Sequence, residues 1–320
     1  MKRKINIITL IAATAIMATS CVKSYDSLFE DSAADRIQLG LKYYEDALLD
    51  GQTWIMEYFP SEELKYGGWI YVLRFDENHN VRAWFEGETF IEDQSYLETP
   101  YAVEYSTGPM LKFVNYNSFL HYFAMPGYEH GYQGLEGEYE FSFMEITSTP
   151  EILLYGIKTD KTIKLSLLPG SYSPEEYVEA VRESQRMVRT NSLKFMVNGK
   201  EYGTLTRESS FVESSFDSYM KSKVWTLSYT YKQQVTDPTG APEYDDEGNP
   251  IYEDVEVHDK LSFIHYPDNT MKLYEPYTFK GELEEYANQT MQTLEWKFGE
   301  APLADHFVCK DSFLEIKFVQ

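Results

Sequence analysis

Asn115, Tyr116, Asn117 and His121 crowd amide, phenol and imidazole groups into seven residues, and Gly127, Tyr128, His130, Gly131, Tyr132, Gly134 and Gly137 follow close behind. Such a set suits binding more than bond breaking. Phenol rings offer flat faces with a hydroxyl at the tip, and glycines, having no Cβ, let backbone come close to a ligand. Tyr116, His121, Tyr128 and Tyr132 are therefore the candidate ligand-binding residues. The competing reading is a strand over Phe119–Phe123, with Phe119, His121 and Phe123 on one face, followed by a plain loop. Trp69 and Trp84, in or beside turns, extend the set of aromatics on which sugar rings could stack, unless they fill a β core.

Signatures of catalysis are missing from the sequence. It has no Gly-x-Ser-x-Gly elbow, no His-Glu-x-x-His and no cysteine pair at metal-ligating spacing. His79, His121, His130, His258, His265 and His306 are scattered. Glu136, Glu138 and Glu140 alternate along an expected strand, but a glycosidase needs a second carboxylate at a defined separation. A chain with 52 Asp and Glu supplies candidate pairs everywhere. Asp245-Asp246-Glu247-Gly248-Asn249 has the oxygens for Ca²⁺ but lacks the alternating spacing and downstream glutamate of a helix–loop–helix site. A solvated acidic loop is the simpler reading. No catalytic residue, metal ligand or cofactor is assigned.

The N-terminus reads as an export signal. Lys2, Arg3 and Lys4 precede an uncharged run from Ile5 to Met17, which ends in Ala18-Thr19-Ser20-Cys21. A basic start, a short apolar stretch and small residues at the cut describe a secretory leader over 1–20, and the run is too short to span a bilayer. Small residues directly before a cysteine make Cys21 the lipidated first mature residue; an ordinary cut near Ala18 with an incidental cysteine is the alternative. Acyl chains such as palmitate, at about 0.8 kcal/mol per buried methylene, would anchor the chain almost permanently. Val22 and Lys23 follow Cys21 with no aspartate to retain the chain in an inner membrane. Outer-membrane anchoring is expected, facing either the cell surface or the periplasm. The other cysteine, Cys309, lies in the apolar Phe307-Val308-Cys309 and reads as an inert buried thiol.

A formal net charge of −24 repels phosphate backbones and excludes nucleic acid as an expected partner. The body is nonetheless foldable, with 16% aromatic and 43% hydrophobic residues, which disordered chains lack. After a tether at 21–31, Ser32 and Asp35 cap a helix whose Ile37, Leu41, Tyr44 and Leu48 share one face, ending at Gly51. Aromatic runs over Thr53–Phe59, Trp69–Phe75 and Val81–Phe85 read as strands, as do the alternating Glu138–Phe143 and Ile163–Leu167. Ser173-Pro174-Glu175-Glu176 starts a second helix with a capping box, and Tyr177, Val181 and Val188 form its apolar stripe. Asn198-Gly199 between Lys194–Val197 and Lys200–Thr204 is a strong hairpin signal. Strands follow over Val224–Tyr231, Leu261–Tyr266, Met271–Phe279, Thr293–Phe298 and Phe313–Phe318, with Asp237–Tyr252 as a long mobile hairpin loop. The two halves share this grammar. The expected fold is mainly β and antiparallel: two tandem helix-led curved sheets or small, lipocalin-like barrels over 32–170 and 171–320, with a β-sandwich pair as the alternative.

Five segments carry a family resemblance: Phe29–Ile37, Gly67-Gly68-Trp69-Ile70-Tyr71-Val72-Leu73-Arg74-Phe75, Gly108–Phe113, Tyr116–Phe123 and Gly137-Glu138-Tyr139-Glu140-Phe141. They resemble an uncharacterised family of Bacteroidetes lipoproteins catalogued as domain of unknown function 4302, from about residue 25 to 170. The resemblance implies an envelope lipoprotein, encoded beside a TonB-dependent outer-membrane receptor and its binding lipoprotein, and implies no catalytic residues. The expected function is a lipid-anchored binding or accessory protein that takes a glycan or peptide. The alternatives are an envelope hydrolase with an unrecognised site and a purely structural lipoprotein.

Overall fold

The computed structural model describes residues 32–50, 53–87, 94–126, 131–148, 150–209, 222–300 and 303–320. The leader, Cys21, the tether, the Gly51 cap and Tyr128 lie outside the described residues. Helix α1 runs over Ala33–Leu49, and the Asp35 amide donates to the Ser32 hydroxyl at 3.2 Å, as a cap requires. Residues Leu41–Gln320 form one compact unit. Leu48 is fully buried there, and Tyr44 stacks on Phe143 at 4.4 Å.

Among the described residues, sixteen strands form two closed antiparallel barrels of eight. The first contains β1 (Thr53–Tyr58), β2 (Trp69–Phe75), β3 (Asn80–Phe85), β4 (Leu97–Tyr105), β5 (Pro109–Phe113), β6 (Glu140–Ile146), β7 (Glu151–Gly156) and β8 (Lys161–Leu167). They pair in chain order, and β1 closes on β8 through Trp54↔Leu167 to Glu57↔Lys164. Helix α2 (Pro174–Met187) follows, then β9 (Ser192–Val197), β10 (Lys200–Arg207), β11 (Val224–Gln234), β12 (Tyr252–His265), β13 (Thr270–Thr278), β14 (Thr290–Lys297), β15 (His306–Cys309) and β16 (Ile316–Val319). Here β16 closes on β9. Of the expected alternatives the chain takes barrels, not sandwiches. The β9–β10 turn has φ of 47° at Asn198 and 83° at Gly199, the geometry that favours Asn-Gly.

An eight-stranded barrel has room for side chains or for one small ligand. Both interiors here are full. Alternate residues point inward, giving Trp54, Met56 and Tyr58 on β1, Trp69, Tyr71, Leu73 and Phe75 on β2, and Phe141 and Phe143 on β6. Tyr71 stacks on Phe85 at 4.5 Å and 14°. The second interior is packed by Phe195, Trp225, Tyr229, Phe279, Tyr286 and Phe318 among others, with Phe195 stacked on Phe279 at 5.0 Å and 9°. Cys309 lies in this core, and burial pushes its thiol pKa up.

The opposite face of β1–β3 is also buried, which a lone barrel would leave wet. Ile55, Ile70, Val72 and Trp84 meet Tyr177, Val178 and Val181 of α2 and Ile264 of β12. Trp69 and Trp84 are thus core and interface residues, not surface platforms. Helix α2 starts with the expected capping box, Ser173 accepting from the Glu176 amide, and it packs on β2, β3 and β12. The barrels touch most closely at Gly67-Gly68. A Cβ on Gly68 would fall 2.5 Å from the Phe59 ring and 2.6 Å from Ile264 Cβ, and one on Gly67 would fall 2.4 Å from Lys223 Cβ. Under this contact lies an ion pair, Lys223 with Glu86, whose side chains are 1% and 0% exposed. Lys223 also donates to Gly68 O at 2.8 Å and lies 4.0 Å over the Trp69 ring. Glu86 accepts from the Ile70 amide at 2.6 Å and from Gln185 of α2. Desolvation draws the Lys223 pKa down.

The segment Asp237–Tyr252 is the tip of the β11–β12 hairpin, built on its own backbone bonds. Val235 N donates to Ile251 O (2.9 Å), Ile251 N to Glu243 O (3.0 Å) and Glu243 N to Val235 O (2.8 Å), closing a ring of three backbone bonds. The Asp245 carboxylate accepts from the Glu247 and Asn249 amides at 2.9 and 2.8 Å, so it folds its own turn. The last strand begins at Ile316, not Phe313, whose side chain is fully exposed.

Candidate functional site

The described parts of the connection from β5 to β6, residues 114–126 and 131–139, fold over one mouth of the first barrel. Its Phe119, Leu120, Phe123 and Leu135 join the barrel core. The expected strand over Phe119–Phe123 is instead a run of turns. Asn117 causes this: its side-chain oxygen accepts from the Phe119 and Leu120 amides at 3.0 and 3.2 Å, capping donors that a strand would leave for a neighbour. His121 N then donates to Asn117 O at 2.9 Å, and Ala124 N and Met125 N donate to His121 O, each at 2.9 Å. Tyr71 holds the turn from below by donating to Phe119 O at 3.1 Å. Gly134 and Gly137 serve this folding. A Cβ on Gly134, whose φ is +58°, would meet Met125 O at 2.4 Å, and one on Gly137 would meet Phe123 Cβ at 2.4 Å.

Outside this plug lies a cleft of ≈ 770 Å³, within the usual span of about 300–1,000 Å³ for small-molecule sites. Tyr116, His121 and Tyr132 all line it, so three of the four candidate residues come together. Tyr116 is 63% exposed and Tyr132 90%. His121 is tucked between two phenols, its ring centroid 5.6 Å from Tyr116 and 4.4 Å from Tyr139. Its Nδ1 lies 3.1 Å from Asn117 O and 3.2 Å from Asn117 N, leaving Nε2 for a ligand. Burial lowers the His121 pKa below its ordinary 6.5, which keeps the ring neutral. The Tyr116 hydroxyl points back to Met125 Sδ at 3.0 Å.

The three glutamates of the alternating stretch are all committed to structure. Glu136, at φ 61°, pairs with Lys65 at 2.8 Å and accepts from Ser61 at 2.7 Å. Glu138 accepts from the Lys158 and Thr159 amides, both at 3.0 Å, and from the Thr159 hydroxyl at 2.5 Å, tying the β7–β8 turn to the plug. Glu140 pairs with Lys112 at 2.7 Å. None is poised as a free acid or base. Sequence reasoning missed Tyr139 and Lys158, which complete the wall. Tyr139 reads only as a member of an alternating strand, and Lys158 arrives from a turn with no local signal.

A family model, described as Domain of unknown function (DUF4302), matches residues 25–283. The chain belongs to this family. The match spans the whole first barrel and the second through β13, farther than the sequence resemblance extended, and stops short of β14–β16. No curated protein and no solved structure matches the chain.

Proposed function

We propose that this DUF4302 chain is a non-enzymatic binding or accessory lipoprotein of the bacterial outer membrane. Residues 1–20 export it, acylated Cys21 anchors it, and the cleft over the first barrel captures a glycan or peptide beside a nutrient receptor of the TonB-dependent kind. The observation carrying this reading is the pair of exposed phenols, Tyr116 and Tyr132, on a cleft that also holds the neutral His121. Side chains so large and apolar are left in water at a cost unless they meet something, and filled barrels leave binding to the outer surface. Affinity purification of the tagged protein from its own membranes tests the reading. Recovery with a receptor component or bound ligand is expected, and recovery of the protein alone contradicts it. A Cys21→Ala variant should leave the membrane fraction; retention there would refute the anchor.

A further inference from the structure

We infer that the cleft over the first barrel takes an uncharged sugar chain, gripped through ring faces and hydroxyls. This rests on the proposed binding role and names its ligand class. The first observation is charge balance inside the cleft. The two carboxylates on its wall are occupied, Glu138 by the β7–β8 turn and Glu140 by Lys112. The one ammonium, Lys158, donates to Gly137 O at 3.0 Å, and His121 is neutral. Among the described lining residues no carboxylate is left to pair with a cationic ligand, and the net charge of −24 disfavours an acidic one.

The second observation is the shape of the polar supply. Tyr116, His121 and Tyr139 form a run of tilted rings, 44° and 33° apart, and Tyr132 stands nearly free beside them. Pyranose rings present C–H faces that sit on the negative faces of aromatic rings, while their equatorial hydroxyls reach outward. Around the platform stand groups that meet hydroxyls: His121 Nε2, the Gln133 amide and the Tyr132 hydroxyl. The third observation weighs against an extended peptide. Both barrels are closed, and the long unpaired edge among the described strands, Tyr252–Ser262 of β12, belongs to the second barrel and not to this cleft. A peptide bound here would have neither a backbone ladder nor a charge to hold its termini.

The test is titration of the full-length protein in detergent micelles with neutral gluco-, galacto- and manno-oligosaccharides, a uronic-acid oligosaccharide of equal length and a proline-rich peptide. Saturable binding of at least one neutral oligosaccharide is expected, with the uronic chain at least tenfold weaker. Tyr116→Ala and Tyr132→Ala should each weaken it by about tenfold, or about 1.4 kcal/mol, and leave the melting temperature in place. Three results overturn the inference. Peptide binding that is lost in the same variants, without sugar binding, would leave the binding role intact and change its ligand. Sugar binding unaffected by either substitution would place the site elsewhere. Silence toward every probe would remove the sugar claim and, with an empty membrane pull-down, the binding role as well.

Discussion

The two barrels solve the same packing problem and differ in their connections. In the second barrel, β13 and β14 are joined by residues 279–289, and Phe279 and Tyr286 drop straight into the core. In the first, the corresponding connection is 114–139. It also sends side chains down as a plug, but it keeps enough chain above them to build a walled cleft. The elaborations are reversed two connections earlier. The second barrel extends β11 and β12 in register to Gln234↔Tyr252 and crowns them with an acidic tip, whereas β3 and β4 pair only from Asn80↔Pro100 to Ala83↔Leu97. Closed meanders with filled interiors act as scaffolds, and individuality lies in the loops, where backbone can vary without disturbing the ladder.

The largest expected effect would break the link between the barrels. Lys223→Ala leaves Glu86 buried without its cation and should cost about 3–5 kcal/mol in chemical denaturation. A loss under about 1 kcal/mol would mean that the pair is hydrated and not part of the joint. Truncating the two plugs sharpens the comparison next. Phe123→Ala and Phe279→Ala should each cost about 3–5 kcal/mol, but only Phe123→Ala should also abolish ligand capture, because only that plug carries a cleft. Equal functional loss in both would deny the division of labour. Gly68→Ala pushes a methyl into Phe59 and Ile264 and should cost about 1–3 kcal/mol, read as a lower melting temperature.

A smaller effect concerns pH. His121 has its pKa lowered in the folded chain, so the unfolded chain binds more protons as pH falls past about 6.5. The stability contributed by neutral His121 is present above that pH and is lost below it. Between pH 7.5 and 5.5 the wild type should therefore lose stability more steeply than His121→Asn. Parallel slopes would show that the imidazole is not desolvated.

Local rules read from the sequence carried far where they are strong. Ser173 to Glu176 predicted a capping box and Asn198-Gly199 predicted its turn, because both motifs satisfy their own backbone groups. The aromatic alternation in β1–β3 predicted strands but not which face was wet, since both faces are buried against different partners. Strand β4 was illegible because Pro100 and the charged Glu98 and Glu104 read as loop, and β15 is only four residues long. The cleft was half legible. Tyr116, His121 and Tyr132 lie close in sequence, whereas Tyr139 reads only as part of a strand and Lys158 reaches them through the pairing of β6 with β7. The buried Lys223–Glu86 pair spans 137 residues and leaves no local mark.

The central claim is that the working surface is the cleft of the first barrel and not the tip of the second. Ligand or receptor capture by the full-length protein should be compared between Tyr116→Ala/Tyr132→Ala in the cleft and Tyr244→Ala/Ile251→Ala in the tip, whose side chains are 56% and 37% exposed. Exposed substitutions of this kind usually change stability by within about 0.5 kcal/mol, so both variants should melt close to the wild type. The predicted result is loss of capture in the cleft variant alone. Capture retained in the cleft variant and lost in the tip variant would contradict the account.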